Sequence, residues 1–118
     1  MRLLFICSAN KLRSPTAEAV FSHYEGIEAA SAGIHTDAET PVSADLVEWA
    51  DVVVAMEPVH KNFLQERFGY LLRRKRLAVL GIPDRYEYMD PELVQLLKEK
   101  VEPQLARWRN EIADNNCC

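Results

Sequence analysis

The sequence predicts an α/β fold: a four-stranded parallel sheet with helices on both faces. Three observations carry that prediction. Short apolar runs alternate with segments of helical periodicity, the pattern of strand–helix–strand units. The first run, Leu3 to Cys7, is apolar without alternation, as in a strand buried on both faces, and Asp51 to Met56 is the most β-branched run of the chain. Between the first run and the first amphipathic segment, Pro15 to Tyr24, lies the loop Cys7-Ser8-Ala9-Asn10-Lys11-Leu12-Arg13-Ser14.

Residues Arg2 to Cys7 read as the first strand. Ala17, Val20, Phe21 and Tyr24 fall at helical spacing, and Gly26 is expected to end that helix. Ile27 to Ser31 reads as a second strand with Ala32-Gly33 as its turn, and Ser43 as the cap of a short helix through Trp49. Asp51 to Met56, the most β-branched run, is the third strand. Pro58 to Phe68 is helical by spacing with Gly69 as its stop. Arg76 to Ile82 is the fourth strand, and Asp90-Pro91 opens a long helix reaching Ile112. In such sheets sites lie beyond the carboxyl ends of the strands, so the loop after strand one and the Pro83-Asp84 segment after strand four share an edge.

The chain has 118 residues, 48% of them hydrophobic, with a net charge of −4. That length predicts one domain, residues 1–118, with an adequate core. The acidic balance argues against general affinity for nucleic acid or anionic membrane. Leu3 to Cys7 is too short for a signal or spanning segment, so a cytoplasmic protein is expected. Its three cysteines, Cys7, Cys117 and Cys118, form neither a disulfide framework nor a zinc spacing.

The loop points to phosphate chemistry. A short loop can curl its N–H groups around one tetrahedral anion, and the next helix aims its positive end at the same point. Those groups and the Arg13 guanidinium favour Cys7 as thiolate, the nucleophilic form. Arg13 offers a planar fork that matches two phosphate oxygens, which a lysine cannot reproduce. Ser14 is placed to cap the helix begun by Pro15 and to donate to the thiolate. Ser8, Ala9, Asn10, Lys11 and Leu12 complete the anion cradle, with inorganic phosphate or sulfate as expected ligands. No metal or other cofactor is called for.

Cys7-x5-Arg13-Ser14-Pro15, continued by Thr16-Ala17-Glu18-Ala19-Val20-Phe21, resembles the active-site loop and first helix of the low-molecular-weight protein tyrosine phosphatases, and within them a short branch of predicted phosphatases. The likeness takes in Ser31-Ala32-Gly33, the Asp51-to-Met56 run, Ile82-Pro83-Asp84-Arg85-Tyr86 and Asp90-Pro91-Glu92-Leu93. The resemblance implies Cys7 as nucleophile, Arg13 as phosphate clamp, Asn10 as a brace of the loop and Ser14 as the hydroxyl stabilising the thiolate. It also implies a general acid after the fourth strand, the place of Asp84. The family writes that acid as Asp-Pro, and here the Asp-Pro pair is Asp90-Pro91, which also reads as a helix cap. Asp84 is placed ahead, and Asp90 stands as the alternative.

Several further residues have two readings. Tyr86 either walls the pocket or packs the loop, and Tyr88 is expected to pack. Glu18 either orients the Arg13 guanidinium or faces solvent. Lys11, where the family commonly has an apolar residue, either draws a more anionic substrate or points to water. His23, His35 and His60 lack metal spacing and read as surface or loop residues. Arg73-Arg74-Lys75-Arg76 reads as a solvated turn, with a docking patch as the alternative.

The favoured activity is hydrolysis of phosphomonoesters, of phosphotyrosine type, on a phosphorylated protein or small molecule, through a phosphocysteine. Arsenate reduction on the same fold, with Cys117-Cys118 passing reducing equivalents, is the first alternative. A non-catalytic phosphate-binding module is the second.

Overall fold

The computed structural model describes the backbone of residues 1–116 and the side chains of residues 1–113. Four strands, β1 (Arg2–Cys7), β2 (Glu28–Gly33), β3 (Val52–Ala55) and β4 (Arg76–Val79), form one sheet in the order β2-β1-β3-β4. All three pairings are parallel; Cys7 lies opposite Gly33, and Ile6 opposite Ala55. Helices α1 (Arg13–Phe21), α2 (Ala44–Trp49), α3 (Pro58–Leu72), α4 (Pro91–Val101) and α5 (Leu105–Asn116) cover it.

The unbroken apolar character of β1 follows from its central place. Leu3, Phe5 and Cys7 enter the core cluster that holds Phe21 of α1, Leu93 and Leu97 of α4 and Trp108 of α5. Leu4 and Ile6 point the other way, into the cluster with Val47 of α2 and Leu64 of α3. Because β1 has β2 on one side and β3 on the other, the chain reverses its direction of winding between β1 and β3. The crevice at such a switch point is where these sheets bind ligands. The Cys7–Arg13 loop leaves from that point, and so does the chain after β3.

The structure corrects several expected boundaries. α1 ends at Phe21, before Gly26, whose φ of 77° serves a later turn. Ala32-Gly33 belongs to β2 and pairs with Ile6 and Cys7. α3 passes Gly69 and ends at Leu72, with the break displaced to Phe68 (φ −128°, ψ 20°). β4 stops at Val79, although Ile82 N–H still reaches the Met56 carbonyl at 2.8 Å across the bend at Gly81, φ 72°. The long last helix is two, parted by a 3₁₀ turn at Glu102–Gln104 that contains Pro103, a residue without the N–H a helix interior needs.

Candidate active site

Cys7 is the last residue of β1 and is 3% exposed. Its Sγ lies 2.9 Å from Ser14 Oγ and accepts from Asn10 N–H at 3.3 Å. Asn10 Nδ2 donates to Ser14 Oγ at 3.0 Å, so the hydroxyl accepts from the amide and has its own proton for the sulfur or for the Ala32 carbonyl at 3.5 Å. That brace needs Asn10 in a left-handed conformation, φ 57°, which asparagine tolerates better than most residues. Ser14 therefore does not cap the helix as the Ser-Pro spacing suggests. The helix starts two residues earlier, at Arg13, and Ser14 turns inward to the thiol.

The outer side of the loop is held by the chain after β2. The carbonyls of Cys7, Ser8 and Ala9 accept from the N–H groups of Ile34, His35 and Glu39 at 3.0, 3.1 and 3.1 Å. This close approach explains Gly33. A Cβ there would stand 2.6 Å from Ser8 O, 2.7 Å from Ala38 Cβ and 3.0 Å from Asn10 N, against backbone that cannot yield cheaply. Gly33→Ala is expected to displace the loop, lowering stability by about 1–3 kcal/mol and phosphate affinity and turnover with it. Thermal unfolding and a phosphate titration on one preparation check this.

Arg13 is 2% exposed, and its guanidinium is held by two other segments, the cap of α3 and the chain after β4. Nη1 donates to Glu57 Oε2 at 2.6 Å and to the Ile82 carbonyl at 2.9 Å. Both Nη1 protons are thus committed, and the edge formed by Nε and Nη2 is the one that remains to meet an anion. Asp84 Oδ1 stands 3.6 Å from Nε. Cys7, Ala9, Lys11, Leu12, Arg13 and Asp84 together line a pocket of about 110 Å³.

Asp84 therefore reaches the sulfur's pocket, and Asp90 does not: its side chain accepts from Glu92 N–H at 2.9 Å as the cap of α4. Tyr86, considered as a pocket wall, is buried in the core with Arg85 over its ring. The half-exposed ring is Tyr88, expected to pack; it lines an open groove with Asn10, Lys11, Glu18 and Glu39. Glu18 does not orient Arg13. It accepts from Ser31 Oγ at 2.6 Å, tying α1 to β2. Lys11 is exposed and borders both the pocket and the groove.

Two residues of the site were absent from the sequence reading as functional groups, Glu57 and His60. Glu57 is the N-cap of α3 and His60 lies in its first turn, which β3 delivers to the switch point. His60, read as a surface histidine, is fully buried. Glu57 N–H donates to its Nδ1 at 3.0 Å, which leaves the ring proton on Nε2, 3.0 Å from Ser8 Oγ. Burial first, and the Arg13 charge second, lower its pKa to about 4. Their signal lay in position: they follow directly the carboxyl end of a central strand.

The basic run is largely committed: Lys75 Nζ donates to the carbonyls of Glu48 and Ala50, and Arg76 pairs with Glu111. Cys117 and Cys118 lie outside the described residues. Among the described residues, no helix is long and apolar enough to cross a membrane.

Residues 2–44 match the family described as low molecular weight phosphotyrosine protein phosphatase. The protein-arginine-phosphatase of Bacillus subtilis (strain 168) is 29% identical over 96 residues, covering 58% of this chain and 64% of the relative. That of Geobacillus stearothermophilus is 32% identical over 91 residues, covering 57% and 62%. The matches thus span less than two thirds of either relative. Among solved structures, a C7S mutant of YwlE arginine phosphatase with a phosphorylated active-site serine superposes with a TM-score of 0.67 at 24% identity, over 94% of this chain and 99% of that one. The tyrosine phosphatase Wzb of Escherichia coli K30, in complex with phosphate, gives 0.69 at 20% identity, over 90% and 96%. At these identities the structural likeness speaks for the fold.

Proposed function

We propose that the chain is a member of the low molecular weight phosphotyrosine protein phosphatase family and that it hydrolyses phosphate monoesters through a phosphocysteine at Cys7. The observation that carries this reading is the placement of the Cys7 thiol, bonded to Ser14 Oγ and Asn10 N–H, in one pocket with Arg13 and Asp84.

The phosphate enters with two oxygens on the Nε–Nη2 edge of Arg13, whose other edge Glu57 and Ile82 hold still. The Cys7 thiolate attacks phosphorus, the bond to the leaving oxygen breaks, and Asp84 in its acid form gives that oxygen a proton. Water then gives a proton to the Asp84 carboxylate as it attacks, and the S–P bond breaks to release phosphate and restore the thiolate. Arg13 follows the charge on the equatorial oxygens through both steps.

We take phosphotyrosine-type esters as the substrates, with the leaving group lying along the Tyr88 groove. Lys11 supports that choice over a phosphoguanidine, because its ammonium at the pocket mouth opposes a cationic leaving group and favours an anionic one. A single exposed charge at such range is worth about 1 kcal/mol, roughly fivefold in rate. Lys11→Met should therefore lower the kcat/KM ratio of a carboxylated over a neutral aryl phosphate by about fivefold, and Lys11→Glu further. Steady-state rates on both esters measure it; an unchanged ratio would put Lys11 outside specificity.

The reading itself is tested by assaying purified protein on aryl phosphate, a phosphotyrosyl peptide, phosphoarginine, and arsenate with thiol. Phosphate release from the first two is expected. Arsenate reduction without phosphate release would move the assignment to a reductase, and phosphate binding without turnover to a binding module.

A further inference from the structure

We propose that His60 is a positioning residue that latches the first turn of α3 onto the loop at two points: Ser8, directly after the nucleophile, and, through Glu57, Arg13. The proposal rests on the reading of Cys7–Ser14 as a phosphate-transfer loop.

The geometry is one ring with two obligations. Glu57 and His60 form a reciprocal capping box at the start of α3. In that box the third helical residue is ordinarily Glu or Gln, which meets the cap with one acceptor and needs nothing more. His60 is fully buried, and a buried neutral imidazole requires a partner on each nitrogen. Nδ1 accepts from Glu57 N–H, so Nε2–H donates to Ser8 Oγ. Ser8 is thereby gripped from both sides, since its carbonyl accepts from His35 N–H on the β2 side. The same cap fixes the backbone of Glu57, whose Oε2 meets Arg13 Nη1 at 2.6 Å. A cap alone would explain the Nδ1 bond and would leave the Ser8 bond without a purpose.

Only the neutral ring makes both contacts. A proton on Nδ1 would face the Glu57 N–H and break the cap. The charged groups around the ring are Arg13 and His35, which oppose protonation, and Glu57 and Asp84, which favour it more weakly than burial and Arg13 oppose it. The folded pKa of about 4 lies below the ordinary 6.5, so the unfolded chain takes up this proton first. The stability carried by the neutral ring is complete above pH ~6.5 and is lost as pH falls toward ~4.

The test is a double-mutant cycle on the full chain. His60→Asn keeps an acceptor for the Glu57 N–H and withdraws the donor from Ser8. Ser8→Ala removes the same contact and leaves the cap alone. The readouts are the dissociation constant of inorganic phosphate and kcat on an aryl phosphate. Each single variant should weaken phosphate about tenfold and lower kcat similarly, and the double variant should be no more than about twofold worse than the worse single. Sulfate, whose charge is constant in this range, should lose affinity in the parent with a midpoint near pH 4, and that step should vanish in His60→Asn. Effects that multiply, or a His60→Asn protein that binds phosphate within twofold of the parent, would overturn the latch. Should His60→Asn not fold, Ser8→Ala decides alone, and parent-like phosphate affinity in it overturns the proposal. A parent that binds phosphate, shows the non-additive cycle and turns over no ester would retain the latch and refute the phosphatase reading.

Discussion

Replacing Cys7 with serine is expected to abolish turnover while leaving phosphate binding within a few-fold of the parent. The expectation follows from what surrounds the sulfur. Ser14 Oγ and Asn10 N–H are set to stabilise a thiolate, and no described base touches Cys7 to activate a hydroxyl in its place. A serine would attack slowly, and once phosphorylated it would release poorly, since an alkoxide is a far worse leaving group than a thiolate. Both steps suffer, so kcat should fall by at least ~10⁴-fold, roughly 5 kcal/mol in barrier. Anion binding should survive because Arg13 and its supports at Glu57 and Ile82 are untouched. Activity within tenfold of the parent would exclude Cys7 as nucleophile.

The second large effect is expected at Asp84. Asp84→Asn should slow phosphoryl transfer from alkyl and tyrosyl esters by about 10²–10⁴-fold, the usual contribution of general acid catalysis. Activated aryl phosphates should lose far less in that step, because their oxygen departs as a stable anion. Asp90→Asn should leave rates across the whole series near those of the parent, since asparagine caps helices about as well as aspartate and Asp90 is occupied with Glu92 N–H. Pre-steady-state bursts across leaving groups of graded basicity, which separate phosphorylation from hydrolysis, make the comparison. Leaving-group dependence in Asp90→Asn and none in Asp84→Asn would exchange the assignments.

The residues contiguous in the chain were legible before the structure. Cys7, Asn10, Arg13 and Ser14 lie within eight positions, so strand, loop and helix signals sufficed to bring them together. The fold class was legible as well, since β1 and β3 are buried on both faces and write that into continuous apolar runs. What local patterns do not carry is strand order. Glu57 and His60 reach the loop because β3 lies beside β1, and Gly33 matters because β2 lies on the other side. Seen only along the chain, His60 is a histidine near a helix start and Gly33 a turn glycine. Tyr86 stayed open between wall and core, and Tyr88 lies in the groove where packing was expected, because side-chain direction in an irregular loop has no period to read. Ser14 shows the same limit: a Ser-Pro pair fits a cap, and only the adjacent thiol explains why the hydroxyl turns elsewhere.

The most direct test of the central claim is to trap the intermediate. Protein mixed with an activated aryl phosphate, quenched during the burst and digested, should carry one phosphoryl group on the peptide containing Cys7, bonded to sulfur by its phosphorus-31 shift. Asp84→Asn, which on this account slows hydrolysis of the intermediate, should accumulate more of it. Turnover with a phosphoryl group on another residue, or a burst with none on Cys7 in either protein, would contradict the account.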